Sequence, residues 1–502
     1  MTFVKGKLPT DLKLFSGLGA VAFGVKDGGF LYFLLPFYNL VLGVDAWLVS
    51  LALATALVID AFADPLIGHL SDRTYSRWGR RLPWLYIAPI PLAAMWVMLW
   101  NPPFGGTPAF WEIVALAVGV RLMLSACEVP SVSLVPEITD DYVERTTLFR
   151  FRFLFGWMGG LGMMLLTFAV FLPTEAARMQ PEGYAVYGIV GAVVIAASVI
   201  GSAAGIHRYV AHRPDQPPPP FSFSAAFGEI VDAFRERAFV IFAIGGLATY
   251  VSHGVTLSIT IYVTQYVWQF SELAFVIYPL VLGASVVLMF LLAGPLHKRF
   301  GKPATAAAGA LAALGIMGVP YTLFLIGLWP ETGTSASTVG FMIFMVLANT
   351  AGVISSISAT SMVAEIVEAF EERTGKRAEA TFYSGNWLVQ KCATGGGIML
   401  SGLIVSMIGL EPGTPQSLVP DAVADRLALL YMAVTGVLAV FAAFWLARFP
   451  ISQADHEARV AARRVRESAT SQTAGSAADE ADDTGLAEKT PAGGLIGRPL
   501  SK

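Results

Sequence analysis

One feature constrains this chain above all others. Apolar stretches of roughly twenty residues, the length a helix needs to cross the hydrocarbon core of a bilayer, recur throughout it. They fall near 15–42, 47–70, 83–101, 111–135, 148–172 and 186–206. A second set follows near 237–264, 273–296, 303–327, 338–363, 385–408 and 424–447. Only 14% of the 502 residues are charged, against about 25% in a soluble globular protein. Lipid is therefore the expected solvent, and the chain reads as an all-α membrane protein with twelve transmembrane helices. The short basic start runs straight into the first apolar stretch with no small-residue cleavage site, so it predicts a retained first helix rather than a secretory signal.

The spacing of these stretches organises the chain. Residues 1–206 form an N-terminal six-helix half and residues 237–447 a C-terminal one. Residues 207–236, with the run Pro217 to Pro220, read as a cytoplasmic linker. Residues 448–502 read as a disordered cytoplasmic tail, in which Arg459, Arg463, Arg464 and Arg466 suit either a basic helix on anionic headgroups or a solvated segment. A faint repeat joins the halves: Gly68-His-Leu70-Ser-Asp-Arg73 after the second stretch and Gly294-Pro-Leu296-His-Lys-Arg299 after the eighth. Duplicated halves with a midplane site between them are common in secondary transporters.

Basic residues gather in alternate loops: Lys5, Lys7 and Lys13, then Arg73, Arg77, Arg80 and Arg81, then Lys298, Arg299 and Lys302, then Arg373, Lys376 and Arg377. The other loops offer only Arg178 and Arg426. By the positive-inside rule the basic set and both termini are cytoplasmic, and a bacterial inner membrane is the expected location.

Charges within the apolar stretches are costly and so point to function. Asp60 and Asp64 lie four apart, on one helix face. Two carboxylates so close repel unless a cation or proton sits between them, which is what a coupling-ion site requires. Ser125 offers a hydroxyl oxygen to such a site, and Lys391 offers either a structural salt bridge or a charge that replaces the ion. Asp27, Glu128 and Arg152, from three helices, suit a polyol or sugar; interhelical charge pairing explains them equally simply. Lys26 beside Asp27 points to a different face. Arg121 is seven residues before Glu128 and suits either the cavity or an acid partner. His253 lies on a polar face with Tyr250, Ser252, Thr256 and Ser258 and reads as cavity lining or packing. Glu365, Glu368, Glu371 and Glu372 read as gate or surface residues. Cys127 and Cys392 lie in apolar segments and read as buried small hydrophobes.

There is no G-x-x-x-x-G-K-[ST] loop for ATP, no metal-ligand cluster beyond a sodium ion at Asp60 and Asp64, and no basic block for nucleic acid. The chain reads as a transporter rather than an enzyme, with no cofactor.

The motif Phe23-Gly-Val-Lys26-Asp27, then Asp60-Ala-Phe-Ala-Asp64-Pro65-Leu-Ile-Gly68, resembles the glycoside–pentoside–hexuronide:cation symporters (melibiose permease-like) of the major facilitator superfamily. So do Ser71-Asp72-Arg73 through Arg80-Arg81-Leu-Pro83-Trp84, Glu128-Val-Pro130, Arg150-Phe-Arg152-Phe153 and Tyr383-Ser384 through Lys391. The resemblance covers about residues 15–447. It implies a major-facilitator fold and alternating-access symport of a sugar or glycoside with H+ or Na+. It implies that Asp60, Asp64, Ser125 and Lys391 form the cation site, that Lys26, Asp27, Glu128 and Arg152 bind substrate, and that Asp72, Arg73, Arg80 and Arg81 act in gating. Its partners are the small-molecule substrate and membrane lipid, and the default oligomeric state is a monomer. Three departures matter. Ala63 replaces an Asn whose amide oxygen suits sodium, which favours a proton; Val132 and Ser356 replace Trp residues that stack on sugar; Glu128 replaces a shorter Asp. A lysophospholipid transporter and a non-transporting substrate sensor are the alternative readings.

Overall fold

The computed structural model describes residues 6–103, 105–139, 141–212, 228, 231–375 and 378–450. Much of the linker, including Arg213 and Pro217 to Pro220, and the tail from 451 onward with its four arginines lie outside the described residues.

Eleven helices are each long and apolar enough to cross a membrane among the described residues. In chain order, and counting the broken third helix below, they are α1 (Thr10–Val41), α2 (Ala46–Asp72), α4 (Phe110–Ile138), α5 (Val143–Phe171), α6 (Pro181–Val210) and α7 (Arg237–Val267). Then come α8 (Glu272–Phe300), α9 (Lys302–Leu325), α10 (Ser335–Thr374), α11 (Thr381–Ile408) and α12 (Asp421–Leu446). The third expected span, α3, is present in two pieces, Leu82–Ile87 and Pro89–Trp100. Pro89 and Pro91 lack the N–H groups that would close the ladder there. The chain still carries on in helical sense, because the Ala88 N–H reaches Trp84 O and the Leu92 N–H reaches Ala88 O. The tenth helix runs past the expected 338–363, because the alanines, glutamates and arginine between Ala364 and Arg373 favour helix and no breaker intervenes before left-handed Gly375.

Local signals set the starts. The Asp45 carboxylate accepts from the Trp47 and Leu48 N–H groups, Asp141 does the same for Val143 and Glu144, and Ser271 caps Ala274. The outer faces carry large apolar side chains in the open, among them Trp111, Phe290 and Val437. Water does not tolerate such continuous apolar belts, whereas lipid favours them. The chain is an integral multi-pass membrane protein.

Small residues set how closely the helices approach. Gly24 on α1 faces Gly156 and Gly160 on α5, and a Cβ at Gly24 would sit 1.9 Å from the Gly156 carbonyl oxygen. On α11, a Cβ at Gly397 would sit 2.2 Å from Val251 O of α7. This is the small-residue packing expected where no hydrophobic force pulls helices together in lipid.

The contacts fall into two sets. α1 packs on α5 and α6, α2 on α4, and α3 on α4 and α6; α7 packs on α11 and α12, α9 on α10 and α12, and α8 on α10. The sets meet where α2 lies along α11, α5 along α8, and α1 against α7. At the end carrying the α5–α6 and α11–α12 connections, this seam is closed. The Tyr262 hydroxyl donates to Asn39 Oδ1 at 2.9 Å, and the Gln416 N–H donates to Glu175 Oε1 at 2.6 Å. Phe168 meets Phe275 at 5.1 Å. Deeper in the bundle Asp27 and Trp387 keep open surface. A central cavity therefore enters from the opposite end, which carries the α2–α3 and α10–α11 connections.

Candidate cation and substrate site

α2 brings Asp60 and Asp64 to one face, one turn apart. α4 packs against that face and inserts Ser125, whose Oγ is 2.5 Å from Asp60 Oδ1 and 2.7 Å from Asp64 Oδ1. From across the seam, α11 inserts Lys391, whose ammonium donates to Asp60 Oδ2 at 2.8 Å and to Asp64 Oδ2 at 2.6 Å. The four residues singled out in the sequence as a cation site thus form one cluster. Asp60 is almost wholly buried, while Asp64 and Lys391 retain surface toward the cavity. A fifth member joins them: Arg121 on α4 places Nη1 3.6 Å from Asp60 Oδ2.

The chemistry of this cluster is exchange of positive charge. Two carboxylates that share one hydroxyl, 2.5 and 2.7 Å from it, repel one another, so they require cationic partners. Lys391 spans both and uses the same oxygens that an incoming cation would need. Ser125 has one hydroxyl hydrogen but two short carboxylate contacts. A proton on either carboxylate completes the second hydrogen bond without moving an atom.

A second group lies along α1, α4 and α5. Lys26 Nζ sits 3.1 Å from Asp27 Oδ1 and 3.2 Å from Glu128 Oε2. The separate face expected for Lys26 is not what forms: its flexible stem swings to Asp27 beside it while Glu128 arrives from α4. The Asp27 side chain stays 58% exposed to the cavity. Arg152 lies one helix further on, donating to Ser131 Oγ at 2.9 Å and to Ser16 O at 3.4 Å, with its guanidinium 5.9 Å from the Phe23 ring centre. His253 is on α7 within electrostatic reach of Asp27. Tyr250, one turn before it, is buried with its hydroxyl on Asn386 Oδ1.

The loop residues form a third group. Arg81 donates to Asp72 Oδ1 at 2.7 Å and lies 3.5 Å from Glu137, tying the α2–α3 connection to the end of α4. Arg73 folds back on His69, 2.6 Å from its Nδ1. Arg80 lies half-buried in the same connection. At the equivalent place in the other set, Lys302 pairs with buried Glu365 at 3.0 Å. Both cysteines are free; Cys127 is buried and Cys392 half-buried.

Glu137, Ser131 and Trp387 were not picked out from the sequence. Glu137 carried a signal, being an acid just past a membrane span and opposite an Arg-rich loop. Trp387 carried one too: it lies four residues before Lys391, on the same helix face, and is 43% exposed. Leu403 and Met407 are exposed on the opposite side of α11, so Trp387 faces the cavity rather than lipid.

A family model described as MFS/sugar transport protein matches residues 15–453. The chain belongs to this family. Among similar proteins, an uncharacterized symporter of Synechocystis is 26% identical, over 83% of this chain and 89% of that one. The isoprimeverose transporter of Lactiplantibacillus pentosus is 28% identical, over 77% of this chain and 78% of its own length. The fold is shared with a solved D-xylose-proton symporter, at a TM-score of 0.58 and 15% identity over 88% of this chain and 98% of that one. Members of the MFS/sugar transport family are transporters, and so is this chain; it is not an enzyme.

Proposed function

We propose that this MFS/sugar transport protein is a cation-coupled symporter of a sugar or glycoside, in a bacterial inner membrane with both termini cytoplasmic. The observation that carries the reading is the Lys391 bridge to Asp60 and Asp64 across the α2–α11 seam. It ties the charge state of the carboxylate pair to contact between the two six-helix halves. A cation that takes the pair's oxygens releases Lys391, and the halves are then free to rock about the site. The closed seam at the Glu175–Gln416 end and the open end near Trp387 make this the cytoplasm-facing member of the cycle.

The coupling ion in this reading is a proton. Ser125 already lies within hydrogen-bonding distance of both carboxylates, and Ala63 supplies no oxygen for a metal shell. Asp27, Glu128, Lys26 and Arg152 offer both donors and acceptors, as an array of hydroxyls demands. The linkage is reciprocal: substrate must raise the affinity for the cation by the factor by which the cation raises that for substrate.

The test is external alkalinisation of right-side-out vesicles on addition of mono- and oligosaccharides, with and without sodium. A sugar that alkalinises the medium in the native protein should be silent in Asp60→Asn. Accumulation of that sugar against its gradient by the variant would refute the assignment. Silence of the native protein across the sugars, with a response to lysophospholipid, would replace the substrate class.

A further inference from the structure

We propose that Arg121 sets which cation the Asp60–Asp64 pair accepts: as a fixed positive charge against Asp60, it bars sodium and lithium. The inference rests on the reading of this pair as the coupling-cation site.

The two cations at the pair differ in how they are held. Lys391 belongs to α11, across the seam, and its side chain is partly exposed to the cavity. It leaves when the seam opens. Arg121 belongs to α4, the helix that also carries Ser125, and α4 packs along α2. Wherever Asp60 goes, Arg121 goes with it. The arginine is wedged as well as buried. Its guanidinium lies 4.2 Å from the centre of the Phe30 ring, Phe30 rests on Trp96, and only 4% of the residue is exposed. Its Nε finds no hydrogen-bond partner. A buried N–H left unpaired is costly. Here the side chain is held by its ring contact and by Asp60 rather than by a full set of acceptors.

A sodium or lithium ion keeps its whole charge wherever it binds and needs a shell of oxygens. Ser125 and the pair bring the oxygens of two carboxylates and one hydroxyl together. Ala63 presents a methyl group. With Lys391 gone, Arg121 already neutralises half the charge of the pair, and a metal ion would be a second full charge within a few ångströms of the guanidinium. Like charges this close in a buried site oppose one another strongly. Removing the arginine's charge removes that opposition, and glutamine at 121 adds an amide oxygen as well.

The experiment is thermal unfolding of the purified full-length protein in detergent. Ionic strength is held constant while KCl is replaced by NaCl or LiCl. Native protein should melt at the same temperature in all three salts. Arg121→Gln should acquire a saturable stabilisation by sodium or lithium over potassium, reflecting roughly tenfold or greater gain in affinity. Adding Asp60→Asn should abolish it. Arg121→Lys, which keeps the charge, should remain indifferent to sodium, and a sodium response there would overturn the proposal even if the Gln variant does not fold. A saturable sodium response in native protein, lost in Asp60→Asn, would also overturn it while leaving the pair as the cation site. Indifference of a folded Arg121→Gln would show that the arginine is not the bar. Failure of the cation-site reading has a different signature: coupled uptake that survives both Asp60→Asn and Asp64→Asn.

Discussion

At the residue scale, the site is organised by what each side chain has left over after its neighbours are served. Lys26 is shared between Asp27 and Glu128, yet Asp27 remains mostly open to the cavity. Arg152 spends one nitrogen on Ser131 and Ser16. Trp387 has no such obligation on its exposed face. With Val132 and Ser356 standing where the resembling family places tryptophans, it is the large aromatic surface on the face of α11 that carries Lys391. Covering about 40 Å² of apolar sugar C–H surface with the indole face is worth about 1 kcal/mol, at about 25 cal/mol per Å². Trp387→Ala should therefore raise the KM for the transported sugar roughly fivefold to tenfold with little change in maximal rate, and Trp387→Phe should recover much of it. Concentration-dependent uptake by the two variants checks this. Unchanged KM in the Ala variant would place the substrate away from α11.

At the scale of the element, the sequence was most legible where periodicity and length speak for themselves. Most spans lie within a few residues of their expected positions, because a bilayer dictates helix length. The third also lies where expected, but that Pro89 and Pro91 divide it into two pieces, bridged by the Ala88 and Leu92 N–H groups, was not anticipated from its length. The extension of α10 was missed because its last turns are charged and no longer look like membrane. The cation cluster was legible in its α2 half, through the four-residue spacing of Asp60 and Asp64. That Lys391 would reach both, and that Arg121 would choose Asp60 rather than the cavity, depends on how α4 and α11 pack. Single-chain periodicity does not contain that information. The close helix contacts were likewise invisible among 49 glycines. Gly24 illustrates the consequence: any side chain there collides with the backbone of α5. Gly24→Val should force α1 and α5 apart at a cost of about 1–3 kcal/mol or more, seen as a lower melting temperature in detergent and reduced membrane yield. Gly28→Val, a turn later, where a Cβ meets only Gly160 O at 4.0 Å, should be milder. Equal loss in both would mean that the α1–α5 contact is not what the glycine serves.

At the scale of the whole molecule, alternating access requires that the closed seam open without great cost, and the residue at its centre makes that intelligible. Arg178, in the α5–α6 connection, lies buried with its guanidinium 4.2 Å from the centre of the Phe275 ring on α8. Neither its Nε nor its Nη1 has a hydrogen-bond partner. Burial draws its pKa below the ordinary guanidinium value, with Tyr184, Glu175 and Glu272 opposing that shift. A buried cation with two unpaired donors is under constant pressure to reach water, each such donor costing about 1–3 kcal/mol. Opening the seam hydrates it. The closed end is thus held by ring contacts and by the Tyr262–Asn39 and Gln416–Glu175 hydrogen bonds, against a built-in bias toward opening. Replacing the cation with an apolar side chain removes that bias, so Arg178→Met should favour the closed seam. If the bias is about 2 kcal/mol, the open population falls roughly thirtyfold. Phe275→Ala removes a ring that holds the seam shut and should act in the opposite sense. Both can be read by placing a cysteine at Leu40, buried at this end beside Asn39 and with its carbonyl facing Gly413 of the α11–α12 connection, in a protein lacking Cys127 and Cys392. The rate of its labelling by a membrane-impermeant maleimide added outside right-side-out vesicles reports opening. Slower labelling in Arg178→Met and faster labelling in Phe275→Ala would establish the arginine as a strained occupant of the seam. Faster labelling in Arg178→Met would mean instead that its cation–π contact is what keeps the two halves together.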